Sequence, residues 1–255
     1  LPNPAAFVVS HLCQGLIMPP EEYLTALFPL LDSLNHTHIS LNLYKDLFSY
    51  QLGNKEHNAL IDSHLRMIKW LRKYSSGLDK AGRYVRNLRH MIETYPGNTA
   101  LADVQYEMAM VYTSIAGDFQ PLGGNAYKWD YQQAWEICTA TIQEFPKSRG
   151  AAKCEALIAL IEKPALRIAT EEVNLPNKPF RMQVNYRNLD HLYFRLYRIS
   201  SDKASTFTDL KTSLLRWDFA RQFPISKRGD TYLAFDGDFH FHRTETSLPA
   251  LAPGT

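Results

Sequence analysis

The feature that most constrains this chain is a change of hydrophobic period near residue 165. Upstream, apolar residues recur at helical spacing and an aromatic-proline turn appears twice, at Tyr95-Pro96 and Phe145-Pro146. Downstream, in Phe180-Arg-Met-Gln-Val-Asn-Tyr186 and His191-Leu-Tyr-Phe-Arg-Leu-Tyr-Arg-Ile199, they alternate every second residue, as strands do. A chain with these two periods in series is α+β with two domains: helical over 1–164 and strand-rich over 165–255.

Charge and apolar content narrow the function classes. The net charge is +2 over 255 residues, with no run of five like charges, so the electrostatic footprint of a nucleic-acid binder is missing. No apolar stretch approaches the 18 residues of a spanning helix, and the first twenty residues do not have the basic, apolar and small-residue order of a secretory signal. No direct membrane insertion is expected in this segment. The start at Leu1 and the end at Pro253-Gly-Thr255 read as a piece of something longer.

Within the helical part, residues 20–34 read as a helix opened by Pro20, with two acids in its first turn and a kink at Pro29. Residues 37–52 fit helix or strand, because Ile39, Leu41 and Leu43 alternate with polar residues, and helix is preferred after Leu41. Leu60, His64, Met67, Ile68 and Leu71 share one helical face, and Tyr84, Leu88, Met91, Ile92 and Tyr95 the next, with a turn at Ser75–Asp79. A further pair follows, with Ala102, Tyr106, Ala109 and Tyr112 on one helix and Tyr131, Ala134, Cys138, Ile142 and Phe145 on its partner. Asp130, with Gln133 three residues on, is placed to cap the partner helix; Ser148 is placed to cap the helix after Pro146, which Pro164 ends.

Superposing Ile92-Glu-Thr-Tyr-Pro96 on Ile142-Gln-Glu-Phe-Pro146 gives an offset of 50, which pairs Ala102 with Ala152 and Ala109 with Ala159. This self-similarity resembles the tetratricopeptide repeat. Met108-Ala109 and Tyr112 match its first helix, and Tyr131, Ala134 and Pro146 its second. The offset exceeds the 34-residue repeat by about 16 residues, most of them in the Gly-rich, aromatic insertion 117–129. Tyr84 stands where the preceding unit would carry alanine.

In the strand part, strands are expected at 166–173, 180–186, 191–199, 214–219, 230–235 and 239–245, with a loop at 200–205, which together suggest an antiparallel β-sandwich. Leu175-Pro-Asn-Lys-Pro-Phe180, Tyr186-Arg-Asn-Leu-Asp190, Leu192–Arg198 and the closing Phe239–Gly254 stretch resemble the first macroglobulin-like domain of bacterial, Bacteroidetes-type α2-macroglobulin-family proteins, in which a helical-repeat region precedes the first sandwich. The resemblance implies a large protease-trapping protein of the bacterial cell envelope, with proteases or envelope proteins as partners of the parent. This chain would be a noncatalytic scaffold or docking fragment whose sandwich is incomplete or only just closed. Cys154-Glu-Ala-Leu157 lacks the glutamine of a thioester motif, so no capture chemistry falls here.

Other chemistry is weighed against blander readings. Phe119, Tyr127 and Trp129 of the insertion are candidate partner-binding residues; the alternative function is a cell-surface glycan- or peptide-binding module that uses them. Asp236, Asp238, His240 and His242 would share one face of a strand, as metal ligands do, but any half-buried antiparallel strand alternates this way. The expectation is therefore Phe235, Phe239 and Phe241 inside and the polar set in water, with no metal. Arg181, Arg187, Arg195 and Arg198 are read as solvated strand positions with some stacking on tyrosine. No Gly-x-Ser-x-Gly, P-loop or Gly-x-Gly-x-x-Gly motif occurs, and neither enzymatic activity nor a cofactor is expected; a self-contained hydrolase ranks third. Cys138 and Cys154 lie eight residues either side of Pro146, level on adjacent helices. Packed helix axes stay about 8–10 Å apart, wider than a disulfide prefers, so buried free thiols are expected ahead of a bridge.

Overall fold

A computed structural model describes residues 15–27, 36–74, 80–171 and 173–252. The chain is α+β and divides into two compact units, Leu1–Ile161 and Glu162–Thr255. The helical unit contains α1 (Pro20–Thr25), α2 (His36–Gly53), α3 (His57–Tyr74), α4 (Lys80–Thr94), α5 (Leu101–Ala116), α6 (Asp130–Glu144) and α7 (Arg149–Ile161). None of the helices among the described residues is long and apolar enough to cross a membrane.

Buried residues follow the helical faces closely. Leu60, His64, Met67, Ile68 and Leu71 of α3 are buried, and they share a cluster with Tyr84, Leu88 and Met91 of α4. The ambiguous 37–52 stretch is helical throughout: Leu41, Phe48 and Gln51 face inward at helical spacing, while Ile39 and Leu43 point outward. Two expectations need correction. Helix α1 ends at Thr25, where Ala26 turns to extended backbone, so the helix does not run on to Leu27; Pro29 and the Ser75–Asp79 turn lie outside the described residues. Asp130 is the first residue of α6 and not its cap, because Trp129 occupies that place without a side-chain bond. Ser148 does cap α7, its Oγ accepting from the Ala151 amide at 3.0 Å.

Contacts between named residues show the helix directions. Gln105, early in α5, meets Glu144 at the end of α6, so these two run antiparallel. Asp103 of α5 accepts from Arg149 (2.9 Å) and Lys153 (2.7 Å) at the start of α7, so α5 and α7 run the same way. Arg149 also reaches Asp62 near the start of α3, at 3.5 Å. The two basic partners hold the Asp103 carboxyl below its ordinary range despite a burial that pushes the other way. Gly150 makes the close approach of α5 and α7 possible: a Cβ there would lie 2.2 Å from the Ala102 carbonyl carbon.

Buried polar groups anchor the segment before α1. His64 Nε2 donates to the Met18 carbonyl at 2.9 Å and Asn87 Nδ2 to that of Ile17 at 3.1 Å. The His64 ring also meets the Phe48 ring edge-on at 5.9 Å. Burial lowers the His64 pKa to about 4, because the imidazolium would lose its hydration.

The second unit contains β1 (Ala165–Thr170), β2 (Phe180–Arg187), β3 (His191–Tyr197), α8 (Ser201–Asp209), α9 (Ser213–Ala220), β4 (Ile225–Tyr232) and β5 (His242–Leu248). One antiparallel sheet has the order β1-β2-β5, and β3 pairs with β4 in a second. Met182, Val184 and Tyr186 of β2 and Leu248 of β5 share a core with Leu192 of β3 and Leu233, so both sheets contribute to one cluster. Across the β3–β4 pair Phe194 faces Gly229, whose missing side chain leaves room for the ring.

Here, too, expectations are corrected. The stretch 200–205, expected as a loop, begins helix α8, and 214–219, expected as a strand, is helix α9. Thr212 caps α9 by accepting from the Leu215 amide at 3.3 Å. Neither helix buries a residue; Phe207, Phe219 and Phe223 contact one another in series, and Trp217 meets Tyr197 edge-on. The last two strands also lie elsewhere: β4 ends at Tyr232 and β5 starts at His242, so 233–241 is a connection.

Two outcomes test this packing. Gly150→Ala should lower the unfolding free energy by about 1–3 kcal/mol in denaturant titration, as overpacking does, even though alanine favours a helix. Gly53→Ala, where nothing lies within 4 Å, should be neutral or stabilising by up to about 1 kcal/mol; equal stability of the two variants would contradict the close approach. Because the folded-state pKa of His64 lies below the unfolded value, its contribution is fully present above about pH 6.5 and is lost as pH falls towards 4. Stability should drop by about 3 kcal/mol across that window from this group, and His64→Gln should flatten that part of the pH profile.

Candidate functional site

Among the described residues, side chains with the types that hold a metal ion gather in the connection between β4 and β5 and at the first residue of β5. Leu233 is fully buried and donates its amide to the Asp190 carbonyl at 2.8 Å, which pins the start of the connection. Tyr186 of β2 then donates its hydroxyl to the Ala234 carbonyl at 2.7 Å. Beyond this point Gly237 (φ 84°) and Phe239 (φ 60°) both occupy the left-handed region, and the chain turns sharply where an alternating strand was expected.

The turn inverts the expected polarity. The Asp238 side chain is 1% exposed and His240 is buried, whereas Phe235 and Phe241 face solvent. Asp238 Oδ1 accepts from the His240 amide at 2.9 Å and lies 2.8 Å from His242 Nε2. The same nitrogen lies 3.8 Å from Asp236 Oδ1, and one ligand atom from each of Asp236, Asp238 and His242 falls within a common 4.8 Å. Asp238 Oδ2 is buried without a hydrogen-bond partner. The Tyr186 ring stacks on His242 at 5.6 Å, and burial, followed by the charges of Asp236, Tyr232 and Asp238, raises its hydroxyl pKa. Of the four residues singled out in the sequence, the structure therefore gathers Asp236, Asp238 and His242 into one cluster.

Two of the arginines singled out in the sequence, Arg181 and Arg187, have partners other than tyrosine. Arg187 donates to the Lys163 carbonyl at 3.1 Å and lies 5.3 Å from the Phe241 ring, which Arg167 approaches at 5.7 Å. Arg181 pairs with Glu245 at 3.1 Å on the exposed face. Arg195 lies opposite Arg228 in the β3–β4 register, in a recess of about 640 Å³ that Tyr193, Trp217 and Asp230 also line.

The expected partner-binding residues occupy the α5–α6 connection. Tyr127 and Trp129 are 50% and 46% exposed, with Lys128 Nζ 4.8 Å from the Trp129 ring; Phe119 is half-buried. Leu122 of the same connection is fully exposed. A surface that the sequence reading missed lies along α2. Ile39, Leu43, Leu47 and Tyr50 are exposed at spacings of four, four and three, beside a groove of about 560 Å³ lined by Leu43, Tyr44, Leu47, Gln51, Asp62 and Arg66. The helical spacing of those four residues was its signal, hidden by the alternation at 38–43.

Cys138 and Cys154 are buried free thiols, as expected. A hydrogen bond between their sulfurs, together with burial, pushes the Cys138 thiol well above its ordinary pKa, so it is poorly nucleophilic. No protein-family model, curated protein or solved structure matches this chain.

Proposed function

We propose that this chain is a noncatalytic docking segment of a large α2-macroglobulin-like, protease-trapping protein of the bacterial cell envelope. In this reading a tetratricopeptide-like helical platform leads into the first macroglobulin-like sandwich. The observation that carries it is the arrangement of α3, α5 and α7. Asp62, Asp103 and Arg149, each near the start of its helix, meet in one ion-pair network, as equivalent helices of stacked pairs would. Burial also repeats at the 50-residue offset in Leu101 and Ala151, Val104 and Cys154, and Val111 and Ile161, although Ala102 and Ala109 are buried where Ala152 and Ala159 are exposed. The core shared by two antiparallel sheets supports the sandwich part of the reading.

Trapping belongs to the parent protein, and the helical platform supplies surface. A protease incubated with the parent should lose activity on large protein substrates, while the purified chain leaves the same protease fully active. Stoichiometric inhibition by this chain alone, or a parent that leaves protein digestion unchanged, would reject the assignment.

A second reading rests on Tyr127 and Trp129, whose half-exposed rings sit with Leu122 on one connection and suit the face of a sugar or an extended peptide. If Trp129 anchors such a ligand, Trp129→Ala should weaken a glycan-array or peptide-array hit by about 2 kcal/mol, roughly 30-fold, in a direct titration. Unchanged affinity would remove the connection from consideration.

A further inference from the structure

We propose that Asp236, Asp238 and His242 form a binding site for a zinc-class divalent cation. The site is independent of the docking function proposed above. Its first support is charge. Asp238 is almost wholly buried, and one carboxylate oxygen, Oδ2, has no hydrogen-bond partner although it belongs to the carboxylate that touches His242. A buried carboxylate oxygen left without a partner is strongly destabilising. A divalent cation at this point offsets the charge of both neighbouring carboxylates.

The second support is geometry. Zinc bonds of about 2.0–2.2 Å to nitrogen and oxygen, held at tetrahedral angles, separate ligand atoms by roughly 3.4 Å. His242 Nε2 lies 2.8 Å from Asp238 Oδ1 and 3.8 Å from Asp236 Oδ1, on either side of that value. Adjustments of about half an ångström bring His242 Nε2 to that separation from each carboxylate, and the ligand atoms of all three residues already lie within 4.8 Å of one another. The His240 amide already orients the Asp238 carboxylate, and Tyr186 holds the His242 ring, so the ligands have the supporting contacts that metal sites use.

The donor set selects the metal class. One imidazole nitrogen with two carboxylates suits zinc and its neighbours, whereas calcium takes six to eight oxygens and magnesium an octahedral oxygen shell. Three protein ligands leave a fourth position, which the 43% exposure of the Asp236 side chain opens to water. The bound ion would tie the β4–β5 connection to the first residue of β5.

The test uses the full chain stripped with a chelator and titrated with Zn²⁺ against a chromophoric competitor. We expect one strong equivalent that is not displaced by equimolar Ca²⁺ or Mg²⁺ and that raises the thermal midpoint. His242→Gln should weaken that equivalent by roughly 100-fold or more, beyond the 10–100-fold effect of a supporting residue. Asp236→Asn changes a half-exposed group and should fold normally; because it removes the charge of one of the three ligands, it too should weaken the site by roughly 100-fold or more. Absence of a strong equivalent in the wild-type chain, or the same affinity in wild type and Asp236→Asn, overturns the proposal. Displacement by equimolar Ca²⁺ or Mg²⁺ overturns the zinc-class assignment.

Discussion

The helical unit depends on the close approach of α5 and α7 at Ala102 and Gly150. With no side chain at Gly150 the two backbones nearly touch, and this brings Asp103 within reach of both Arg149 and Lys153. Arg149 extends the link to Asp62, so three helices that run the same way share one electrostatic node. Arg149 is largely exposed, and an exposed pair contributes little to stability by itself. Packing makes the approach possible, and the charges hold its register. Helix α6 then fills the flank, with Ala134 and Cys138 turned inward.

A different constraint governs the strand unit. Strand β2 lies between β1 and β5, and its alternate residues Met182, Val184 and Tyr186 supply much of the core. Tyr186 does more than fill space, because its hydroxyl reaches Ala234 and its ring lies against His242. The β4–β5 connection is thus shaped by a residue more than 40 positions upstream. Two left-handed residues let it fold onto that tyrosine, and folding back carries Asp238 inside. The same turn leaves Phe241 outside, where Arg167 and Arg187 approach its ring.

Legibility followed the length and strength of the periodic signal. Helices α3 to α7 each span thirteen residues or more, and their apolar positions identify a face before any tertiary contact is known. In α2 a short alternating stretch mimicked a strand, because two of its three apolar residues belong to an outward stripe. Helices α8 and α9 are short and bury nothing, so no inward face marked them; Thr212, the residue that caps α9, was a sign that went unread. The misplacement of the Asp130 cap by one residue has a similar origin, since only backbone geometry distinguishes the cap from the first helical residue. At the candidate site the residue types were visible, but the alternation rule arranged them incorrectly because it assumes a continuous strand.

By itself the sequence determined the α+β division, the inward faces of the long helices, the strand at 180–186 and the Ser148 cap, because each is written in local spacing. Tertiary structure decided which helices touch, since Gly150 matters only once Ala102 lies opposite it. It also decided which polar groups enter the interior. Asp238 is buried because a turn with two positive φ values meets Tyr186 and His242 there, and such meetings depend on residues that are distant in sequence.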